Sequence, residues 1–106
     1  MTVALTPIDL DRTTSVRIVK LPERFDVHSG VELPAASVRA GTTLLIDGSG
    51  VCFADLASLQ SIVDTRLAML DQGSDLAIGA PSDELRATLE LTGFGDLVPV
   101  LAGGSL

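Results

Sequence analysis

The segment Phe53-Ala54-Asp55-Leu56-Ala57-Ser58-Leu59 constrains this chain more than any other. A short apolar run ends in an aspartate, and a helical pattern starts at the next residue. From Leu56, apolar residues recur at Leu59, Ile62, Val63, Leu67 and Leu70, the spacing of one helix face. Gly73 follows as a C′ stop. Asp55 stands where its carboxylate can accept the free N–H groups of the first turn. The same helix end offers partial positive charge and unpaired donors to an anion or a partner group. A strand that runs directly into a capped helix points to an α/β layer, with the junction itself as the candidate functional site.

The rest of the chain alternates in the same way. Residues 2–5 read as a short strand, followed by a polar turn around Pro7, Asp9 and Asp11. Residues 15–21 form a better strand, with Val16, Ile18 and Lys20 on one face and Arg17, Val19 and Leu21 on the other. Residues 22–26 break it. Ser29-Gly30-Val31-Glu32 has the form of a capping box, so a short helix is expected through Leu33, Ala36 and Val38, with Pro34 early in it and Gly41 ending it. Residues 42–47 read as a buried strand, and Gly48-Ser49-Gly50 as the turn after it. Residues 76–80 are another strand, stopped by Pro81. Ser82 then caps a helix carrying Leu85, Leu89 and Leu91, closed by Gly93, with Leu91 and Phe94 expected to touch across its end. Residues 97–101 suit a last strand. This alternation argues parallel strand pairs within one α/β domain.

At 106 residues the chain has room for one core, so the whole of 1–106 is read as one domain. Within it, 1–13 is an N-terminal strand and turn, and 102–106 a frayed tail. Fourteen acidic against seven basic residues give a net charge of −7, with the basic residues scattered. That disfavours nucleic acid and acidic membrane surfaces and favours a basic or mixed-charge protein partner. Cys52 is the sole cysteine, which excludes an intrachain disulfide and fits a reducing compartment; its apolar surroundings suggest a buried, inert thiol. No secretory signal pattern and no apolar run of about 20 residues is evident, so a cytoplasmic location without membrane insertion is expected. The one histidine, His28, reads as a surface or capping group. Gly48-Ser49-Gly50 lacks the lysine and spacing of a phosphate loop. No paired acid and base, metal set or activated nucleophile stands out, so neither an enzyme nor a cofactor is expected.

Three segments together resemble the STAS domain family, in its anti-sigma factor antagonist form. Arg24-Phe25-Asp26, with Leu33 seven residues after the aspartate, resembles the family's Gly-x-x-Asp loop and first helix. The junction from Phe53 to Leu59 resembles its Asp-Ser-Ser/Thr-Gly-Leu motif. Leu85-Arg86-Ala87-Thr88-Leu89-Glu90-Leu91-Thr92-Gly93-Phe94 is similar to its closing helix. The resemblance runs over about residues 14–101. It implies a STAS-like α/β domain: a mixed, mostly parallel β-sheet with helices packed on one face.

The resemblance also implies a function. In the family the junction faces an anti-sigma factor, often a serine kinase of the GHKL ATPase type, which phosphorylates the second hydroxyl residue of the motif and is thereby released. In register, Asp55 keeps the aspartate, Leu56 replaces the first serine, Ala57 occupies the acceptor position, and Ser58 falls on the glycine. Alanine cannot carry a phosphate, so control by phosphorylation is expected to be weak or absent, with Ser58 the one off-register acceptor. The expected partner-binding face comprises Asp26, Ser49, Asp55, Ala57 and Ser58, supported by the exposed side of the helix that follows. Asp55 and Asp26 each also suit a plain capping or turn-making role. Two other roles remain open: a STAS subunit of an ABC-type lipid-transport complex, docking on an ATPase, and a small-molecule-sensing module.

Overall fold

The computed structural model describes residues 15–29, 31, 33 and 39–101. In chain order these form β1 (Val16–Lys20), β2 (Arg24–Phe25), β3 (Thr43–Asp47), β4 (Phe53–Ala54), α1 (Leu56–Asp71), β5 (Asp75–Gly79), α2 (Asp83–Thr92) and a 3-10 turn, Phe94–Asp96. The expected strand at 2–5 and the tail at 102–106 lie outside the described residues, as does most of the expected helix after Ser29.

The main sheet has the order β1-β3-β5, and both ladders are parallel. Val16 pairs with Thr43 and Thr43 with Asp75, so residues of like face align across three strands. One face carries Leu44, Ile46, Leu76 and Ile78, all buried. Against it lie Leu59, Ile62, Val63 and Met69 of α1 and Leu85 and Leu89 of α2, in one contiguous core cluster. Both helices thus cover the same side of the sheet, the arrangement expected from the resemblance. Each fully buried leucine or isoleucine here is worth about 1.5–3 kcal/mol over leaving it in water. The opposite face presents Val16 and Ile18 to solvent.

Both helices start and stop where the sequence places them. Asp55 caps α1, and Gly73, with φ +83°, donates its N–H to the Leu70 carbonyl. Ser82 caps α2 by accepting the Leu85 N–H, and Gly93, with φ +80°, closes it on the Leu89 carbonyl. A residue with a Cβ would be strained at either glycine.

Several expectations need correction. The break at 22–26 contains β2, a two-residue strand paired in parallel with β4. The last strand shrinks to a bridge: Ile78 donates to Pro99 O and accepts from Leu101 N, with Val100 opposite. Pro99 has no N–H with which to extend the ladder. Leu91 is 88% exposed and does not fold onto Phe94, which packs against the core alone. In α1 the buried set contains Met69, whereas Leu56, Leu67 and Leu70 stand in solvent. Cys52 is exposed, because its residue sits on the turn entering β4, where its amide binds Glu23 O at 2.7 Å.

Candidate functional site

The small β2–β4 ladder builds the site. Cys52 and Phe53 donate to Glu23 O, and Asp55 N donates to Phe25 O at 3.2 Å. These bonds lay the segment after β2 beside the start of α1. No pattern in either segment announces the pairing, since strands of two residues are too short to show a period.

Asp26 organises the first loop. Its Oδ1 accepts the His28 N–H at 3.0 Å, an Asx-type turn, and its Oδ2 accepts from Arg24 Nε at 2.6 Å. Its backbone oxygen takes both the amide and the hydroxyl of Ser29. The carboxylate is buried, while the Arg24 side chain is mostly exposed and lies with its guanidinium 4.6 Å from the centre of the Phe53 ring. Arg24 therefore braces its own loop by charge and reaches the facing strand β4 through the ring contact.

Asp55 ties the two loops together. Its Oδ1 accepts the Ser58 N–H at 2.8 Å, and its Oδ2 accepts the Val27 N–H at 3.3 Å. The Ser58 hydroxyl, the Ser58 amide, the Val27 amide and the nearby His28 all favour its charged form, so its carboxyl is held below the usual aspartate value. One side chain thus caps a helix and fixes the position of the facing loop. That second bond, spanning 28 residues of sequence, is the one the capping argument could not supply.

Between these elements opens a recess of about 340 Å³ lined by Phe25, Asp26, Val27, Val31, Ala57, Ser58 and Ser61. Asp26, Ala57 and Ser58 line this recess, and Asp55 stands at its helical edge. Ser49 does not line it. It lies exposed on the turn after β3, with its amide on Asp47 Oδ1 at 3.0 Å; that amide and the Ser49 hydroxyl hold the Asp47 carboxyl low. Ala57 is exposed on the first turn of α1. Ser58 is only 6% exposed, at the wall of the recess. Val27, Val31 and Ser61 belong to the recess without any sequence signal that would have selected them.

The two carboxylates are held by backbone donors and an arginine rather than aimed at a bond to be broken. Among the described residues no three His, Cys, Asp or Glu side chains gather as a metal set, and no helix is long and apolar enough to cross a membrane.

Comparison with known proteins agrees with this architecture. A family model described as "Mlab, STAS domain" matches residues 8–99. No curated protein and no solved structure gives a significant match. The chain belongs to the STAS domain family.

Proposed function

We propose that this STAS domain is a protein-binding module that acts as an anti-sigma factor antagonist and stays competent to bind without a phosphorylation cycle. STAS domains are in general non-enzymatic binding modules, and the reading of the partner rests on the resemblance to the family's anti-sigma factor antagonists, which the face built here supports. The observation that carries it is the double engagement of Asp55, which presets the Asp26 loop and the α1 N-terminus as one surface before any partner arrives. A preset face avoids the ordering cost of binding. The face comprises Asp26, Asp55, Ala57 and Ser58, with Ser49 on the adjoining turn, and the partner is an anti-sigma factor of the GHKL ATPase type in the cytoplasm. The mechanism is competition: the occupied anti-sigma factor lets go of its sigma factor.

With alanine at position 57 and Ser58 shielded, the face offers a kinase no ready hydroxyl at the acceptor position. A phosphate there would add about −1.5 to −2 charges next to Asp55 and oppose docking. Affinity purification of the tagged full chain from its own host, with mass spectrometry of bound proteins, tests the reading. Recovery of an ATPase-type anti-sigma factor, lost with Asp55→Lys, is the expected result. Substantial phosphate on Ser58 in the native protein would overturn phosphate-independence.

A second reading is a STAS subunit of an ABC-type lipid-transport complex docking on its ATPase. The description of the matching family model, which names Mlab, favours it. Recovery of transporter components in the same purification would select it.

A further inference from the structure

A second cavity, of about 360 Å³, lies apart from the recess beside Asp55 and shares no described lining residue with it. Arg86, Leu89 and Glu90 of α2 form one wall, and Asp96 of the 3-10 turn and Val100 close it. The spacing of three and four residues turns one face of α2 toward the space. Gly93, one turn further on, contributes no side chain and leaves the cavity open. The volume falls within the range of small-molecule sites, about 300–1,000 Å³.

The charged groups around this cavity are not spent on one another. Arg86 and Glu90 stand four residues apart, with the arginine on the N-terminal side, the weaker order for an ion pair on a helix. The Arg86 guanidinium turns instead toward the start of α2, to Pro81 O at 3.5 Å and Asp83 at 3.6 Å, two long contacts. Glu90 and Asp96 make no side-chain hydrogen bond or ion pair among the described residues. The floor is aliphatic: Leu89 is buried, and Val100, opposite Ile78, keeps 39% of its surface exposed. One cation against two carboxylates leaves the cavity with an excess negative charge.

We propose that this cavity binds a free basic amino acid of the lysine or arginine type. The α-carboxylate of such a ligand matches Arg86, whose planar fork suits a carboxylate. Its α-ammonium and its side-chain cation match Glu90 and Asp96, and its methylene stem covers Leu89 and Val100. The net positive charge of the ligand offsets the excess in the cavity. An aliphatic amino acid leaves one carboxylate unpaired, and a diamine gives Arg86 no acceptor. The site uses none of the residues of the Asp55 face, so it stands or fails independently of the antagonist reading.

Isothermal titration calorimetry of the full chain with L-lysine tests this, with cadaverine (no carboxylate) and L-norleucine (no side-chain ammonium) as comparators. Lysine should bind at one saturable site, and each comparator roughly tenfold more weakly or worse. Glu90→Gln/Asp96→Asn should weaken lysine by roughly tenfold, and Arg86→Gln should erase its advantage over cadaverine. All three positions are exposed, so the variants should fold as the native chain does, which far-UV circular dichroism checks. Asp64→Asn removes one negative charge from exposed α1, outside the cavity, and should leave lysine binding unchanged. Absence of saturable lysine binding, or equal affinity for lysine and either comparator, overturns the proposal. A loss in Asp64→Asn as large as in the cavity variants also overturns it, because the attraction would then belong to the net charge of −7.

Discussion

Ser82→Ala removes two interactions at one point. The Ser82 hydroxyl caps α2 by accepting the Leu85 N–H at 3.1 Å and donates to the carbonyl of buried Val51 at 2.5 Å. Loss of a serine cap costs about 1 kcal/mol. A buried carbonyl left without its donor costs about 1–3 kcal/mol more. The backbone bond from Ser82 N to Gly48 O, and the acidic first turn at Asp83 and Glu84, survive the change, so the loss isolates the hydroxyl. The sum is about 2–4 kcal/mol, a fall in Tm on the order of 10–25 °C for a domain of this size. The chain has neither Trp nor Tyr, so thermal unfolding is best followed by far-UV circular dichroism. Ser82→Thr keeps both bonds and should melt close to the native protein. A Ser82→Ala variant within about 2 °C of native, or a Thr variant as damaged as the Ala one, would refute the assignment of both bonds to this hydroxyl.

Three further outcomes follow from local geometry. Arg66 holds the Asp75 carboxyl below its ordinary value, so the pair's contribution is present above the unfolded aspartate value of about 4 and disappears as pH falls through the lower folded value. Both side chains are partly exposed, so Arg66→Ala should cost about 0.5–1 kcal/mol at pH 7. The gap from native, measured by urea melts, should narrow under strongly acidic conditions. Ala80 sits at φ +48°, outside the range a Cβ prefers, and Ala80→Gly should stabilise by about 0.5–1 kcal/mol in the same assay. A Cβ on Gly48 would lie 2.5 Å from Leu85 Cδ2, so Gly48→Ala should destabilise by about 1–3 kcal/mol, and by less when combined with Leu85→Val.

The alternation of elements was legible because it depends on local rules. The caps at Asp55 and Ser82 and the stops at Gly73 and Gly93 each need only a few neighbouring residues to be read. What periodicity could not provide was the rotation of a helix about its axis. The pattern on α1 shows an apolar face wide enough for two surfaces, and only packing against β5 decides that Met69 goes in while Leu67 and Leu70 stay out. Leu91 fails for the same reason: two residues after buried Leu89, it falls on the opposite face of α2. The site was half legible. Asp55, Ala57 and Ser58 follow from the junction and the resemblance, and Asp26 from its turn chemistry. The bond from Val27 to Asp55 and the stacking of Arg24 on Phe53 join segments far apart in sequence, and nothing local encodes them.

The central claim is that the face around Asp55 binds its partner unmodified. Calorimetric titration of the recovered partner tests it most directly, comparing native chain never exposed to a kinase with Ala57→Glu, which puts a negative charge at the acceptor position. Tight binding by the unmodified chain, weakened by roughly tenfold or more in Ala57→Glu, is the expected result. Equal affinity for the two proteins, or a native chain that binds only after phosphorylation, would contradict it.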